Sequence, residues 1–201
     1  MNKVATDAQQ QTRCKFLVIS SSASGKSRSE KLGDHIAVLL SGPNVHVDHL
    51  RLRTLPPGPL LAADVSNVEI EASLAQLGES DGLIVVTPTY KATYTGLLKV
   101  FIDLLPQYAL RGKTVLPLAT GGTVAHVLML DYGLRPVLQT MWPRHIAQGC
   151  FVLDKHLIVE GEQLCIDEPS MSLLSEVLGA FRQSLALAEI EPSPKHVAEV
   201  I

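Results

Sequence analysis

Residues 20–32 (SSSASGKSRSEKL) carry the letters of a phosphate-binding loop, directly after a short apolar run. Residues 25–27 (GKS) match the end of the nucleoside-triphosphate motif GxxxxGKS/T, but Ser20 stands where that motif has its first glycine. The strongest later strand ends in Thr87 and not in an acidic residue that could help to hold magnesium. The stretch therefore does not predict a nucleotide hydrolase.

The same stretch has the donors that a smaller anion needs. Ser22, Ser27 and Ser29 offer hydroxyl groups and Arg28 offers a cation, while the first N–H groups of a following helix form an anion pocket. Such a set suits a phosphate monoester without a metal. The alternative is a flexible surface turn in which Ser27 or Ser29 is an ordinary N-cap.

A second loop, 87–103 (TPTYKATYTGLLKVFID), follows the predicted central strand. Pro88 ends that strand, Tyr90 and Tyr94 can supply aromatic surface, and Gly96 permits a close backbone approach. A flat heteroaromatic ring needs such features, with main-chain hydrogen bonds at its edge and a wall behind it. The alternative is that both tyrosines are ordinary core or interface residues.

A third loop, 118–126 (LATGGTVAH), follows another buried strand. Gly121 and Gly122 let the chain turn tightly and pass close to a ligand, and Thr120 and Thr123 add hydroxyl groups. Open α/β sheets bind ligands at the carboxyl ends of their strands. The three loops are therefore predicted to form one site at one edge of a sheet.

The elements that would position these loops alternate about five times between strand and helix. Right-handed crossovers then give an α/β fold, a five-stranded parallel sheet with helices on both faces. Residues 55–61 (LPPGPLL) are predicted to be irregular because three prolines and a glycine interrupt them. The predicted strands are 14–20, 45–52, 81–87, 114–119 and 145–153, and the predicted helices are 29–40, 70–77, 95–105, 124–141 and 172–188.

Length and composition predict a single domain over 14–190, with a flexible lead, 1–13, and a tail, 191–201. The net charge of −3 gives no reason to expect nucleic-acid binding, and no apolar run approaches the ~20 residues that cross a bilayer. The start lacks the apolar centre of a secretory signal and is interpreted as a short polar lead. The cysteines show no CxxC spacing, which favours reduced thiols and a cytoplasmic location. Three widely spaced cysteines suggest no metal site, and each is expected to be a small buried side chain.

Four segments together resemble the NAD(P)H-dependent FMN reductases of the flavodoxin-like fold. The likeness runs from about residue 14 to residue 152 and is greatest to the reductases of two-component alkanesulfonate monooxygenase systems, the SsuE-type enzymes. The segments are 81–91 (DGLIVVTPTYK), 96–99 (GLLK), 115–126 (VLPLATGGTVAH) and 131–138 (DYGLRPVL).

The resemblance implies an FMN site in three parts. The phosphate loop is matched by Ser22, Ser27, Arg28 and Ser29. The segment beside the isoalloxazine ring is matched by Pro88, Thr89, Tyr90 and Lys91. The loop at the other ring edge is matched by Thr120, Gly121, Gly122, Thr123 and His126. Ser21 and Ser24 stand where the family has a glycine and an arginine. One cation of the phosphate loop is thereby missing, and Lys26 is the candidate to replace it.

The activity implied by the resemblance is hydride transfer from NADPH, or NADH, to FMN. Reduced flavin, FMNH2, would then pass to a flavin-dependent monooxygenase. No catalytic side chain is predicted, since the flavin supplies the chemistry, but backbone donors near Thr89 and Tyr90 would stabilise charge on reduced flavin. The helix that holds Tyr132 would contain a π-type bulge and lie in the interface of a dimer or tetramer.

Two other functions remain open from the sequence. The first is a flavoprotein that keeps FMN tightly bound and reduces quinones, azo compounds or metal oxyanions. The second is a flavodoxin-like electron carrier without enzyme activity, although such carriers are usually more acidic than this chain.

Overall fold

A computed structural model describes residues 14–161 and 163–186 of the chain. The predicted lead, 1–13, and tail, 191–201, lie outside the described residues. The strands are β1 (Cys14–Ser20), β2 (Val45–Arg51), β3 (Gly82–Pro88), β4 (Thr114–Gly121), β5 (His145–Ile146), β6 (Cys150–Leu153), β7 (Leu157–Glu160) and β8 (Gln163–Ile166). The helices are α1 (Arg28–Leu40), α2 (Pro57–Leu61), α3 (Val68–Glu79), α4 (Gly96–Ile102), α5 (Arg135–Gln139) and α6 (Glu168–Ala186).

The main sheet is parallel and has the strand order β2-β1-β3-β4-β5, with β6 also paired to β4. Successive side chains of a strand point to opposite faces, and the core accordingly has two parts. α1 and α6 cover one face through Leu32, Leu174 and Phe181. α3 and α4 cover the other through Ile70 and Phe101. The flavodoxin-like α/β fold predicted from the sequence is confirmed.

The predicted fifth strand, 145–153, is interrupted in its middle. Ile146 pairs with Val115 of β4, and Cys150 pairs with Leu118. The segment therefore advances four residues while β4 advances three, which makes a one-residue bulge. Pro117 of β4 lies beside the bulge and has no N–H to donate. Gly149 passes so close that an added Cβ would lie 2.9 Å from the Pro117 carbonyl oxygen. A single continuous fifth strand is therefore wrong: the pairing with β4 is interrupted at Pro117 and resumes at Leu118 with the register shifted by one residue.

Two further segments differ from their predictions for local reasons. Residues 55–61 contain the short helix α2, because its prolines occupy the N-cap and first turn, where no N–H is needed. The predicted helix 124–141 is divided into a 3₁₀ turn (Val124–His126), a π-helix (Leu130–Leu134) and α5. The π-helix confirms the bulge implied by the resemblance.

The final helix begins at Glu168, four residues earlier than predicted. Of its apolar residues, Val177 and Phe181 are buried, whereas Leu173 is 45% exposed. Leu174 is buried instead. It extends the three- and four-residue spacing of the helix face that packs on the sheet.

An antiparallel hairpin, β7–β8, precedes α6 and was not predicted from the sequence. It packs against α1. Its signal is two short apolar runs, 157–159 and 164–166, on either side of Gly161, whose φ of +60° suits a tight turn. The runs are too short to stand out beside the longer strands of the main sheet.

The cysteines occupy three different environments. Cys150 is buried and its burial raises the pKa of the thiol to about 11, whereas Cys165 is exposed, contrary to the prediction for it. Within the ranges that the structure describes, no helix has the length and apolar character to span a membrane. No cluster of His, Cys, Asp or Glu among these residues could hold a metal ion.

Candidate functional site

The loop after β1 lies at the carboxyl edge of the sheet and is shaped by its own serines. Ser21 donates its N–H to the Val86 carbonyl at 3.2 Å, which joins the loop to β3. The Ser22 hydroxyl accepts from the N–H of Ser24 at 3.2 Å, and the Ser24 hydroxyl accepts from the N–H of Lys26 at 3.2 Å. These side-chain turns bend the backbone around a central space.

The start of α1 completes this loop. The Ser27 hydroxyl is the N-cap, accepting from the N–H of Glu30 at 3.1 Å, and it lies 2.8 Å from the Ser29 hydroxyl. The buried Ser21 hydroxyl has no partner within the described residues. Several backbone N–H groups of the loop also donate to no acceptor in that part of the chain: those of Ser22, Ala23, Gly25, Ser27, Arg28 and Ser29. Such convergent donors form an anion site.

The two loops beside it are joined to each other. Thr89 donates its N–H to the Thr120 carbonyl at 2.7 Å. The Thr89 hydroxyl is buried and has no partner among the described residues. Gly121 passes beside it, since a Cβ added there would lie 3.3 Å from this hydroxyl and 2.8 Å from the Phe151 ring. A side chain at this position would collide with the Phe151 ring, so the close approach of the two loops requires glycine here.

The segment 90–93 is a tight turn with strained backbone. Tyr90 and Thr93 exchange backbone hydrogen bonds of 2.9 and 3.2 Å, and Lys91 and Ala92 between them have φ values of 51° and 65°. Both conformations are unusual for residues other than glycine and define a type I′ turn. The N–H groups of Thr89 and Tyr90 are therefore occupied within the protein. Those of Lys91 and Ala92 have no acceptor in the described residues and are the available donors.

Three further residues that were predicted for the FMN site are Thr123, His126 and Arg28. Thr123 caps the 3₁₀ turn by accepting from the N–H of Ala125 at 3.3 Å, and His126 in that turn is half-buried. The exposed Arg28 turns its Nε towards the Leu157 carbonyl of β7 at 3.2 Å. This contact gives Arg28 a partner in the hairpin, outside the serine loop with which it was predicted to act.

Thr95 connects the anion loop to α4, a role that sequence reasoning missed. Its buried hydroxyl donates to the Ser21 carbonyl at 2.9 Å and accepts from the N–H of Leu98 at 3.1 Å as the N-cap of α4. A threonine before Gly96 is a visible N-cap signal. The partner of its hydroxyl, Ser21, lies 74 residues earlier in the chain and could not be predicted from this local signal.

A second connection holds the end of β1. The Ser20 hydroxyl lies 2.9 Å from His49 Nε2, and His49 Nδ1 lies 2.8 Å from Asp34. Burial lowers the pKa of His49, so the neutral ring donates from Nδ1 to Asp34 and accepts from Ser20. Gly33 makes room for the ring, since a Cβ there would lie 2.8 Å from it. Ser20 thereby enters the loop in one fixed orientation.

Comparison with known proteins now identifies the family. A family model described as NADPH-dependent FMN reductase matches residues 14–157, well over half of the chain. The chain belongs to the NADPH-dependent FMN reductase family. It is thus an oxidoreductase that uses FMN together with NADPH or NADH, and the family predicted from the sequence is confirmed.

Individual relatives of this family agree over most of their length. The chain is 38% identical to an FMN reductase (NADPH) of Escherichia coli over 177 residues, 88% of this chain and 93% of the relative. It is 30% identical to the NADH-dependent FMN reductase SfnF of Pseudomonas putida, covering 74% and 84%. The solved apo structure of an NADH:FMN oxidoreductase, EMOB, is 41% identical with a TM-score of 0.80, covering 90% and 92%.

The site fits FMN by its donor set. The phosphate would meet the N–H groups of the 21–29 loop, and the ring would meet the hydroxyl of Thr89 and the N–H groups of Lys91 and Ala92. A cavity of about 1010 Å³ lies at the opposite, amino edge of the sheet beside Asn44 and Lys113. The carboxyl edge is an open surface, on which Tyr90 is 49% exposed.

Replacing Thr95 with valine tests whether the anion loop depends on α4. Valine keeps the shape but removes the hydroxyl between Ser21 and Leu98, so we expect unfolding free energy to fall by about 1–3 kcal/mol. We expect the Kd for FMN to rise several-fold, because the loop loses its connection to α4. Urea unfolding and FMN fluorescence titration measure the two effects. Thr95→Ser keeps the hydroxyl and should stay near wild type; equal effects of both variants would contradict the assignment.

Proposed function

We propose that this chain reduces FMN with NADPH and releases FMNH2 to a partner flavin-dependent monooxygenase. One observation carries the proposal: in the described part of the chain, N–H groups of the 21–29 loop and the Thr89 hydroxyl have no protein partner, and both sets lie on the same edge of the sheet. These two sets match the two polar ends of one flavin mononucleotide. The thirteen residues assigned to FMN by resemblance remain the proposed binding site, with Ser21 and Ala92 added, and Thr95 is proposed to position the loop.

The protein's part in the reaction is to bind and to orient. FMN, when bound, accepts a hydride from the nicotinamide of NADPH, and the two reactants need only be stacked in the right geometry. The serines and free N–H groups of the 21–29 loop hold the phosphate. The turn 90–93 presents the N–H groups of Lys91 and Ala92 to the ring, where donors stabilise negative charge that develops during reduction.

We infer that FMN exchanges as a substrate and is not held permanently. The ring loops border an open surface, and Ser24 replaces the arginine of the family's phosphate loop. Arg28 donates its Nε to the Leu157 carbonyl of the hairpin, which leaves fewer of its N–H groups for the phosphate. The release of reduced flavin requires this weak binding, whereas a quinone or azo reductase keeps its flavin.

The colour of the purified protein separates these two enzymes. We expect a colourless protein whose NADPH oxidation depends on added FMN and saturates with FMN concentration. A yellow protein with stoichiometric flavin that reduces quinones without added FMN would support the tight-binding alternative. Stoichiometric flavin without any NAD(P)H oxidation would support an electron carrier.

The partner and the assembly are proposed on separate grounds. The monooxygenase rests on the resemblance to the SsuE-type branch, and the cytoplasm is the proposed location of both proteins. A dimer or tetramer is proposed because the 3₁₀–π segment exposes apolar side chains, with Val124, Leu128 and Tyr132 at 66%, 60% and 79%. Light scattering would measure the assembly. A monomer at micromolar concentration would exclude the oligomer.

A further inference from the structure

A basic groove adjoins the proposed FMN phosphate loop and shares residues 25–28 with it. The groove has a volume of about 860 Å³ and is bounded by residues 25–28, the end of β2 and the hairpin β7–β8. Ser21 and Ser22, the inner residues of the phosphate loop, do not line it. The groove extends outwards to Arg53 and Gly161, so it is a neighbouring space and not the inside of the loop.

The charge of the groove is opposite to that of the chain. The described lining has three carboxylates and six cationic side chains, a net charge of +3, while the whole chain carries −3. The six cations are Lys26, Arg28, Lys31, Arg51, Arg53 and Lys155. Clustered positive charge in a concave surface attracts anions and raises their local concentration.

Two of these cations are held in place by carboxylates. Arg53 binds Glu30 through two hydrogen bonds of 2.6 and 2.7 Å, and Arg51 binds Asp34. Arg–carboxylate pairs of this kind fix the guanidinium plane. The ion pairs among the described residues include no carboxylate for Lys26, Arg28 or Lys155. Within the described residues, the groove thus combines arginines held by ion pairs with cations that form no close ion pair.

The groove lies at the same edge of the sheet as the proposed flavin site. Along the carboxyl edge the strand order places β2 next to β1, followed by β3 and β4. The groove, the phosphate loop and the ring loops therefore follow one another along one line. Neighbouring strands are about 4.8 Å apart, so the end of β2 is roughly 10 Å from the end of β3. A dinucleotide whose reacting ring meets the flavin ring can reach that far.

We propose that this groove is a subsite for the phosphate on the adenosine end of a dinucleotide. The inference rests on the proposed FMN reductase function. Two dinucleotides carry this chemistry to the site: NADPH, through its 2′-phosphate, and FAD, whose adenylate would extend from the flavin phosphate. A phosphate dianion in the groove would be attracted by Lys26, Lys155, Arg51 and Arg53, which all line it.

The test is the charge reversal Lys155→Glu in the full-length chain. Lys155 is exposed in a 3₁₀ turn and belongs to no part of the proposed FMN site. We expect the ratio of kcat/KM for NADPH to that for NADH, at saturating FMN, to fall about tenfold with the NADH value unchanged. Lys15→Glu at the amino edge makes the same change in net charge and should leave the ratio unaltered. The wild-type ratio should also decline with ionic strength.

The second arm compares FAD with FMN at saturating NADH. A selective loss with NADPH assigns the groove to the 2′-phosphate, and a selective loss with FAD assigns it to the adenylate; either supports the subsite. Unchanged ratios in both arms would overturn it. A raised KM for FMN itself would also overturn it, by making the groove part of the FMN phosphate site.

A direct binding measurement keeps the two proposals separable. Calorimetric titration with 2′,5′-ADP and with 5′-AMP requires no turnover. Tighter binding of wild type than of Lys155→Glu to either nucleotide supports the subsite even if FMN reduction is not found. Equal binding by both proteins overturns the subsite even if FMN reduction is confirmed.

Discussion

A carboxylate introduced at Ser22 is expected to abolish FMN binding at micromolar flavin. Ser22 is buried and its hydroxyl accepts from the N–H of Ser24, a bond that an aspartate oxygen can also accept, so Ser22→Asp keeps the turn. Its charge would lie about 4 Å from a bound phosphate, where like charges repel by roughly 4 kcal/mol at an effective dielectric constant near 20. The Kd for FMN should therefore rise between about 100-fold and 1000-fold.

The matched control for this prediction is Ser22→Asn. Asparagine has nearly the same shape as aspartate and can accept the same hydrogen bond without the charge. We expect its Kd for FMN to rise by less than about tenfold. Fluorescence titration of FMN with each variant measures the difference, and circular dichroism checks the fold. If aspartate and asparagine weakened FMN equally, the loop would not be a phosphate site.

The largest effect on stability is expected from Phe181→Ala. Phe181 is fully buried, meets Phe16 edge-on at a centroid distance of 5.3 Å, and lies against Gly82, where a Cβ would come within 2.7 Å of the ring. Removing so large a side chain leaves a cavity under α6 and should cost about 3–5 kcal/mol of unfolding free energy.

Leu173 on the same helix provides the control. Its side chain is 45% exposed, so Leu173→Ala should change the free energy of unfolding by less than about 0.5 kcal/mol. Urea unfolding of both variants measures the contrast. A comparable loss from both would show that α6 does not pack by the face described above.

The sequence predicted the sheet and the three loops well because these depend on local patterns. Buried strands such as β3 and β4 are continuous apolar runs, and turn residues follow them immediately. In a parallel sheet this is enough to bring the loops after β1, β3 and β4 to one edge. The N-cap role of Ser27 follows from local chemistry in the same way.

The errors arose where distant residues decide the structure. The break in the fifth strand depends on Pro117, which lies about thirty residues earlier in the chain. The orientation of Arg28 depends on the Leu157 carbonyl of a hairpin that was not predicted. The occupied N–H groups of Thr89 and Tyr90 reflect pairing with Thr120 and Thr93. None of these contacts is visible in the residue types alone.

The most direct test of the account is a single-turnover measurement with the purified wild-type chain. The protein is mixed rapidly with NADPH, with and without added FMN, and the absorbance of both reactants is followed. We predict that NADPH is oxidised only when FMN is present, that one flavin is reduced for each NADPH, and that the rate saturates with FMN. NADPH oxidation that is absent at every FMN concentration would contradict the account.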